Sequence, residues 1–277
     1  KGFPFYVNGG HVLSLKTTNE GKNNKSNTTG REIVNISVND YIDKSKSWKH
    51  LHKLYRPDRV DFERTHNKPI PPYILGLLLG DGHFGSNVGI TSIDSEIVSE
   101  VYQYADSIGC KVYVHTNKNK TCPTYIINND SQEKTKKGCG VMQSKARSIG
   151  LWEKRSGDKF IPHQYKTSSY EDRLDLLAGL MDSDGSVSRS GYDYISKSKT
   201  LSYGVVFVCR SVGLAAYVKK CRKSSQNGTE GVYYRVSISG DCSIIPNRLT
   251  RKKSPARLQK KRVSVTGFKV ELESYNE

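Results

Sequence analysis

Leu177-Ala178-Gly179-Leu180-Met181-Asp182-Ser183-Asp184-Gly185 is the stretch on which the fold turns, and a looser copy stands at Ile74-Leu75-Gly76-Leu77-Leu78-Leu79-Gly80-Asp81-Gly82. Each is an apolar run that stops at Asp-Gly. Each carries small residues four apart: Gly76 with Gly80, and Gly179 with Ser183. Residues at i and i+4 share a helix face, and small side chains there let two backbones approach closely. Pro69, Pro71 and Pro72 cluster at the mouth of the first helix, where a missing N–H is harmless because that donor has no partner in a first turn. Ser168 and Glu171 have the spacing of a capping box ahead of the second helix. If the two small faces pack together, Asp81 and Asp184 come side by side at one end of the seam. A single Asp-Gly does no more than end a helix; the duplication is what points to chemistry.

The copies extend beyond the helices. Asp81 and Asp184 are 103 positions apart, and Ser107-Ile108-Gly109-Cys110-Lys111-Val112-Tyr113-Val114 matches Ser211-Val212-Gly213-Leu214-Ala215-Ala216-Tyr217-Val218 at an offset of 104. Two matched segments at nearly one offset indicate that residues 70–262 are two copies of one α/β unit. Strand patterns fall at Val88–Ser92, Lys111–His115, Thr124–Asn128, Tyr192–Ser196 and Val232–Ser239. Upstream, Val7 to Leu15 around Gly9-Gly10 reads as a β-hairpin, residues 17–30 as a polar loop, and Glu32–Val38 as an alternating strand. A basic, polar stretch over 45–68 leads to a boundary before Pro69.

Charge names the partner class. The 277 residues hold 44 Lys and Arg against 27 Asp and Glu, a net of +17, so a polyanion is expected, bound with release of its counterions. No apolar run approaches the ~18–20 residues of a membrane span. The six cysteines form no C-x-x-C pair and have no zinc-finger spacing with histidine, so they read as free thiols. With no signal peptide, the expected place is intracellular, cytoplasmic or nuclear. Two carboxylates held together repel unless a cation lies between them. A hard divalent ion such as Mg²⁺ takes oxygen ligands and keeps several waters. Such an ion can activate water and stabilise the attacking and leaving oxygens at phosphorus.

Residues 177–185 resemble the LAGLIDADG motif at seven of nine positions, with Met181 and Ser183 the departures. The chain is thus similar to homing endonucleases with two such motifs. The resemblance implies an α+β fold with one αββαββα unit per half and a pseudo-twofold axis along the motif helices. It also implies that each half lays a curved antiparallel sheet in the major groove. The implied activity is Mg²⁺-dependent hydrolysis of both strands of a long, asymmetric double-stranded DNA target by a monomer. Mn²⁺ is an expected substitute, with no small-molecule cofactor and no membrane. In the family the last acidic residue of each motif holds metal. That carries over to Asp81 and Asp184, with the adjoining Gly80 and Ser183 in the metal site. Asp182 stands where the first copy has Leu79 and is expected to be structural. The family also places one basic residue per half near the reaction centre. Lys159 in Lys159-Phe160-Ile161-Pro162 fits the first, and Lys252-Lys253 the second, with Lys253 favoured. Phosphate contacts are expected from Arg248, Arg251, Lys252, Arg257 and Lys260, and from Lys118 and Lys120, with the run Lys134–Lys137 a further candidate. A solvated charged face is the alternative. Tyr125, Tyr192, Tyr194, Tyr233 and Tyr234 lie on strand patterns and suit either base edges or sheet packing.

The flanks resemble an intein. Val7 to Leu15 is similar to the intein block built on T-x-x-H, with His11 as the histidine and Asn8 in place of Thr; Val263–Leu272 alternates like the strand before an intein's C-terminal block. The implied division is 1–68 and 263–277 as a partial all-β splicing domain of the Hint type, around a nuclease over 69–262 with halves 69–165 and 166–262. The chain starts at Lys1, not Cys or Ser, and ends Tyr275-Asn276-Glu277, not His-Asn, so as given it is not expected to splice. Two other functions compete: a catalytically inactive nucleic-acid binder of the maturase or transcription-factor kind, and protein splicing as the main role.

Overall fold

A computed structural model describes residues 4–18, 33–62, 67–116, 122–129, 140–224, 230–257 and 265–273. In chain order the first elements are β1 (Val12–Thr17), β2 (Ile33–Ser37), α1 (Val38–Asp43), α2 (Lys46–Leu51) and β3 (His52–Tyr55). Then come α3 (Pro72–Gly80), β4 (Gly82–Phe84), β5 (Val88–Thr91), α4 (Ser95–Ser107), β6 (Cys110–His115), β7 (Thr124–Asn129), α5 (Val141–Ser148) and α6 (His163–Lys166). The last are α7 (Tyr170–Ser183), β8 (Gly185–Ser188), β9 (Gly191–Ser196), α8 (Lys199–Ser211), β10 (Ala215–Ser224), β11 (Glu230–Ser239) and β12 (Val265–Thr266), with 3₁₀ turns at Cys242–Ile244 and Thr250–Lys252. The chain divides into two compact units, residues 1–58 with 259–277, and residues 59–258.

The larger unit is a duplication. The run from α3 to α5 is an αββαββα half, and α7 to β11 repeats it, with the two 3₁₀ turns where the last helix would stand. Both sheets are antiparallel with one topology, β4-β5-β7-β6 and β8-β9-β11-β10. Alternation along β11 buries Val236 and Ile238 and exposes Arg235 and Ser237, the period-2 pattern of a sheet with one wet face. Helices α4 and α8 cover the inner faces through Ile97, Val101 and Tyr104, and through Leu201, Val205 and Val208. One continuous core runs through both halves.

At its centre α3 and α7 meet. Every side chain of α3 from Tyr73 to Leu79 is buried, as expected of a helix apolar on all sides. A Cβ on Gly179 would lie 2.1 Å from the Tyr73 carbonyl oxygen, and one on Gly76 would lie 2.4 Å from that of Leu176. The glycine face read from the sequence is therefore the contact. The cap of α7 differs by one residue from the expected box. Ser169, not Ser168, accepts from the Asp172 N–H at 3.1 Å, while Ser168 is buried and donates to the Tyr165 carbonyl. Tyr192 and Tyr194 are core residues, which leaves neither for base edges.

The smaller unit is a four-stranded sheet in the order β12-β3-β1-β2, packed on a core of Leu13, Leu15, Val38 and Tyr41. It is not all-β as expected. Ser37 and Ser45 accept from the N–H groups of Asp40 and Trp48, and these caps start α1 and α2. Nor is the stretch before Gly9-Gly10 a strand. β1 pairs with β2 and β3 instead, while Phe5, Tyr6 and Val7 are exposed and Pro4 has no N–H to give a ladder.

Candidate active site

Helices α3 and α7 end on Asp81 and Asp184. Each stops because the chain turns back hard into β4 or β8 through a glycine. A Cβ on Gly82 would sit 2.5 Å from Leu78 Cα, and one on Gly185 would sit 2.6 Å from Met181 Cα. The seam then joins the two ends, so that a Cβ on Gly80 would lie 3.4 Å from Asp184 Oδ2. Both aspartates remain open to solvent on one side. Protein packed on the other side raises both pKa values. Asp184 goes up to about 6, through lost hydration first and the Asp81 charge second, against the opposing pull of Lys159 and Lys252. Asp81 is raised by lost hydration, against the same two lysines.

A lysine sits on each helix end. Lys159, 4% exposed, donates from Nζ to the carbonyls of Leu78, Leu79 and Gly80 at 3.0 Å and of Gly82 at 2.7 Å. An ammonium has three protons for these four acceptors, so at least one is shared. The last carbonyls of a helix lack partners, and the negative end of its dipole favours a cation. Burial brings the Lys159 pKa down to about 8, while Asp184 and Asp81 push it the other way. At the α7 end, Lys252 Nζ donates to the Ser183 carbonyl at 2.5 Å. Its pKa is lowered by burial and by Arg251, against Asp81, Asp182 and Asp184. Lys253, the favoured candidate from sequence, is exposed. Lys252 closes a 3₁₀ turn, and at about three residues per turn the next side chain points elsewhere.

The other expected residues divide. The carbonyls of Gly80 and Ser183 are held by the two lysines; the Ser183 hydroxyl turns back onto the Gly179 carbonyl at 2.8 Å. Asp182 is buried and accepts from the Tyr73 hydroxyl, Asn247 Nδ2 and the Arg248 N–H at 2.8–2.9 Å. Arg248, expected on phosphate, is engaged inside the protein, 2.9 Å from Glu100 and stacked 3.4 Å from the Tyr73 ring centroid. Arg251 is exposed but forms a two-pronged pair with Asp94, and Arg257 is half-buried. Lys118, Lys120, Lys260 and Lys134–Lys137 lie outside the described residues. Sequence reasoning missed a cleft of about 690 Å³ beside Lys159, edged by His83, Lys154 and Arg155. His83 is half-buried there, and burial followed by the Lys159 charge lowers its pKa. The signal was available: Lys154 and Arg155 stand just ahead of Lys159, and His83 two places after Asp81.

Residues 160–264 are matched by the model of the family described as "Homing endonuclease". The replicative DNA helicase DnaB of Mycobacterium intracellulare is 27% identical over 171 residues, 61% of this chain and 24% of the helicase. The chain therefore spans under a quarter of that relative's length. Among solved structures, mesophilic variants of the homing endonuclease I-DmoI align with a TM-score of 0.41 at 13% identity, over 62% of this chain and 83% of theirs. I-DmoI in complex with DNA and Ca aligns at 0.42 and 13%, with the same coverage. I-WcaI bound to its DNA recognition sequence aligns at 0.35 and 10%, over 70% of this chain and 83% of its own. Over residues 160–264 this chain is therefore similar to the homing endonuclease family.

Proposed function

We propose that the chain is a site-specific endonuclease that hydrolyses both strands of double-stranded DNA with a divalent cation, magnesium or manganese. One observation carries this: Asp81 and Asp184 end two helices packed backbone to backbone, each beside a lysine held on that helix end. The donor set suits such an ion. Two carboxylates and the carbonyls of Gly80 and Ser183 are all hard oxygens. Among the described residues no group of three or more His, Cys, Asp or Glu could hold a metal, so phosphate oxygens and water would complete the shell. The bound ion would supply charge neutralisation at phosphorus and an acidified water. Asp81 and Asp184 would hold it, ionised at neutral pH with Asp184 near 6. Lys159 and Lys252 bring fixed positive charge to where the pentavalent phosphorus gathers negative charge, and exposed Lys154 and Arg155 suit the flanking backbone.

The test is a supercoiled plasmid library bearing a randomised insert. The wild-type chain with Mg²⁺ or Mn²⁺ is expected to linearise a reproducible subset, and Asp184→Asn none. Binding without cutting under either metal would favour the catalytically inactive reading, and linearisation by Asp184→Asn would remove that residue from the mechanism.

The smaller unit supports a second reading, that of a splicing domain related to inteins. Its sheet joins both ends of the chain, with β12 paired to β3. His11 and Asn8 lie together in one exposed turn, where the His11 N–H donates to the Asn8 carbonyl at 3.2 Å. Flanking the chain with Cys before and His-Asn after, between reporter halves, tests it. Ligation that is lost in His11→Ala supports the reading; no ligation rejects it.

A further inference from the structure

The two lysines are held in different ways. Lys159 rests directly on four carbonyls. Lys252 rests on one, and a buried polar chain fixes its backbone. The Tyr73 hydroxyl donates to Asp182 Oδ2 at 2.9 Å, and Asn247 Nδ2 donates to Asp182 Oδ1 at 2.8 Å. Asn247 Oδ1 faces the Tyr192 hydroxyl at 2.7 Å, and that hydroxyl is also 2.7 Å from the Lys252 carbonyl and accepts from the Ser254 N–H at 3.0 Å. The amide orientation of Asn247 follows from these partners, since only its NH₂ can serve the carboxylate. Asp182, Asn247, Tyr192 and Ser254 are all buried. Among the described residues the first half has no such chain: Leu79 occupies the place of Asp182 and is itself buried.

From this asymmetry we infer that Asn247 and Tyr192 are positioning residues for Lys252 alone, so that cleavage of one strand of the duplex depends on them and cleavage of the other does not. The inference rests on the endonuclease reading and on one lysine serving each half. It follows from the direction of the contacts. The hydrogen bonds of the chain join α3, α7, β9 and the 247–254 segment, and none of them ends on Lys159, whose backbone is held instead by the Ser198 hydroxyl on its carbonyl at 2.6 Å. Lys252 has a long, flexible stem, so a loosened backbone lets Nζ leave Ser183 and the seam.

The test uses a duplex carrying a site selected by the wild-type chain, each strand labelled separately. Lys252→Met and Lys159→Met first identify the strand each lysine serves. Asn247→Ala is then expected to slow the Lys252 strand by about 10- to 100-fold, the usual effect of losing an orienting partner, with the other strand little changed. Plasmid should accumulate as nicked circles. Tyr192→Phe should nick the same strand while keeping the ring and its packing, and it decides the matter if Asn247→Ala does not fold. Equal slowing of both strands, or no slowing where Lys252→Met is slow, overturns the inference. A readout free of cleavage separates this from failure of the endonuclease reading. In a chelator, the melting temperatures of Asn247→Ala, Lys252→Met and the double variant should be non-additive; strict additivity also overturns it.

Discussion

A buried ammonium at a helix terminus does two jobs, and single substitutions separate them. Lys159 and Lys252 satisfy helix-end carbonyls, while Lys253 points to solvent. Lys252→Met should therefore cut DNA at least about tenfold more slowly, a loss of about 1.4 kcal/mol at the barrier. Lys253→Met should be close to wild type in single-turnover cleavage; a reversed order would mean that the 3₁₀ turn is misplaced. Titration gives a second prediction. Without metal the folded protein keeps the Asp184 proton up to about pH 6, whereas the unfolded chain releases it near 3.8. In that window the folded state binds more protons, so stability falls as pH rises from about 4 to about 6 and then levels. The buried lysine acts oppositely in a higher window. Folded Lys159 loses its proton near 8 and the unfolded group near 10.5, so stability recovers as pH rises between them. Thermal melts in a chelator from pH 4 to 7 should show the fall in wild type and a smaller one in Asp184→Asn, where Asp81 keeps its own raised pKa. Lost hydration leads the shift and salt screens charges rather than burial, so the fall should largely persist in ~1 M salt, with a Debye length of ~3 Å. A wild-type profile already flat at low salt would contradict the raised pKa.

The pairing of α3 with α7 is the element-level device, and it depends on backbone contact. The Cβ of Gly179→Ala would meet the Tyr73 carbonyl oxygen and the Leu77 nitrogen at 2.1 and 2.9 Å, and backbone cannot rotate aside as a side chain can. The helices must part, at a cost of about 1–3 kcal/mol or more by analogy with overpacked cores. Melting should drop and cleavage should go, since the aspartates separate. Gly80→Ala meets a side chain instead, at 2.1 Å from Ser183 Oγ and 2.6 Å from its Cβ. Removing that side chain in Gly80→Ala/Ser183→Gly should recover part of the loss, and a simple sum of the two single effects would refute the contact. These helices were legible because both contact faces and both stops are local: small residues four apart, then Asp-Gly. The strand patterns at Val88–Ser92, Lys111–His115, Thr124–Asn128, Tyr192–Ser196 and Val232–Ser239 fall on β5, β6, β7, β9 and β11. Helices α4 and α8 went unread, and of the Lys252-Lys253 pair the sequence favours the wrong member for the contact with Ser183. The signal for α4 was present, since Ile97, Val101, Tyr104 and Ala105 stand at i, i+4, i+7 and i+8. The choice between Lys252 and Lys253 depends on how the chain crosses from Asn247 to Ser254, which long-range bonds to Asp182 and Tyr192 decide. The shifted cap at Ser169 has a local cause, since the buried Ser168 is spent on the Tyr165 carbonyl three residues back.

At the scale of the whole molecule, on the proposed endonuclease reading, the net charge of +17 sets how DNA is met, and internal pairing decides which charges take part. An arginine already neutralised inside the fold releases no counterion when DNA binds. One that stands exposed at the mouth of the cleft does. Arg248 lies against Glu100 and the Tyr73 ring, whereas Arg155 is exposed beside Lys159 and His83. The affinity for non-specific duplex should fall linearly on a log–log plot against salt, with a slope of about −0.9 per phosphate contacted. Arg155→Ala should make that slope shallower by about one contact and leave melting unchanged. Arg248→Ala should do the reverse, keeping the slope while losing about 1–2 kcal/mol of stability from the stacked cation and its ion pair. Fluorescence anisotropy between 50 and 300 mM salt, roughly a tenfold-or-more affinity range for several contacts, measures both slopes. Equal slope changes in the two variants would show that Arg248 leaves its internal partners when DNA arrives. The basic segment after β11 would then belong to the DNA interface, as its composition alone suggested.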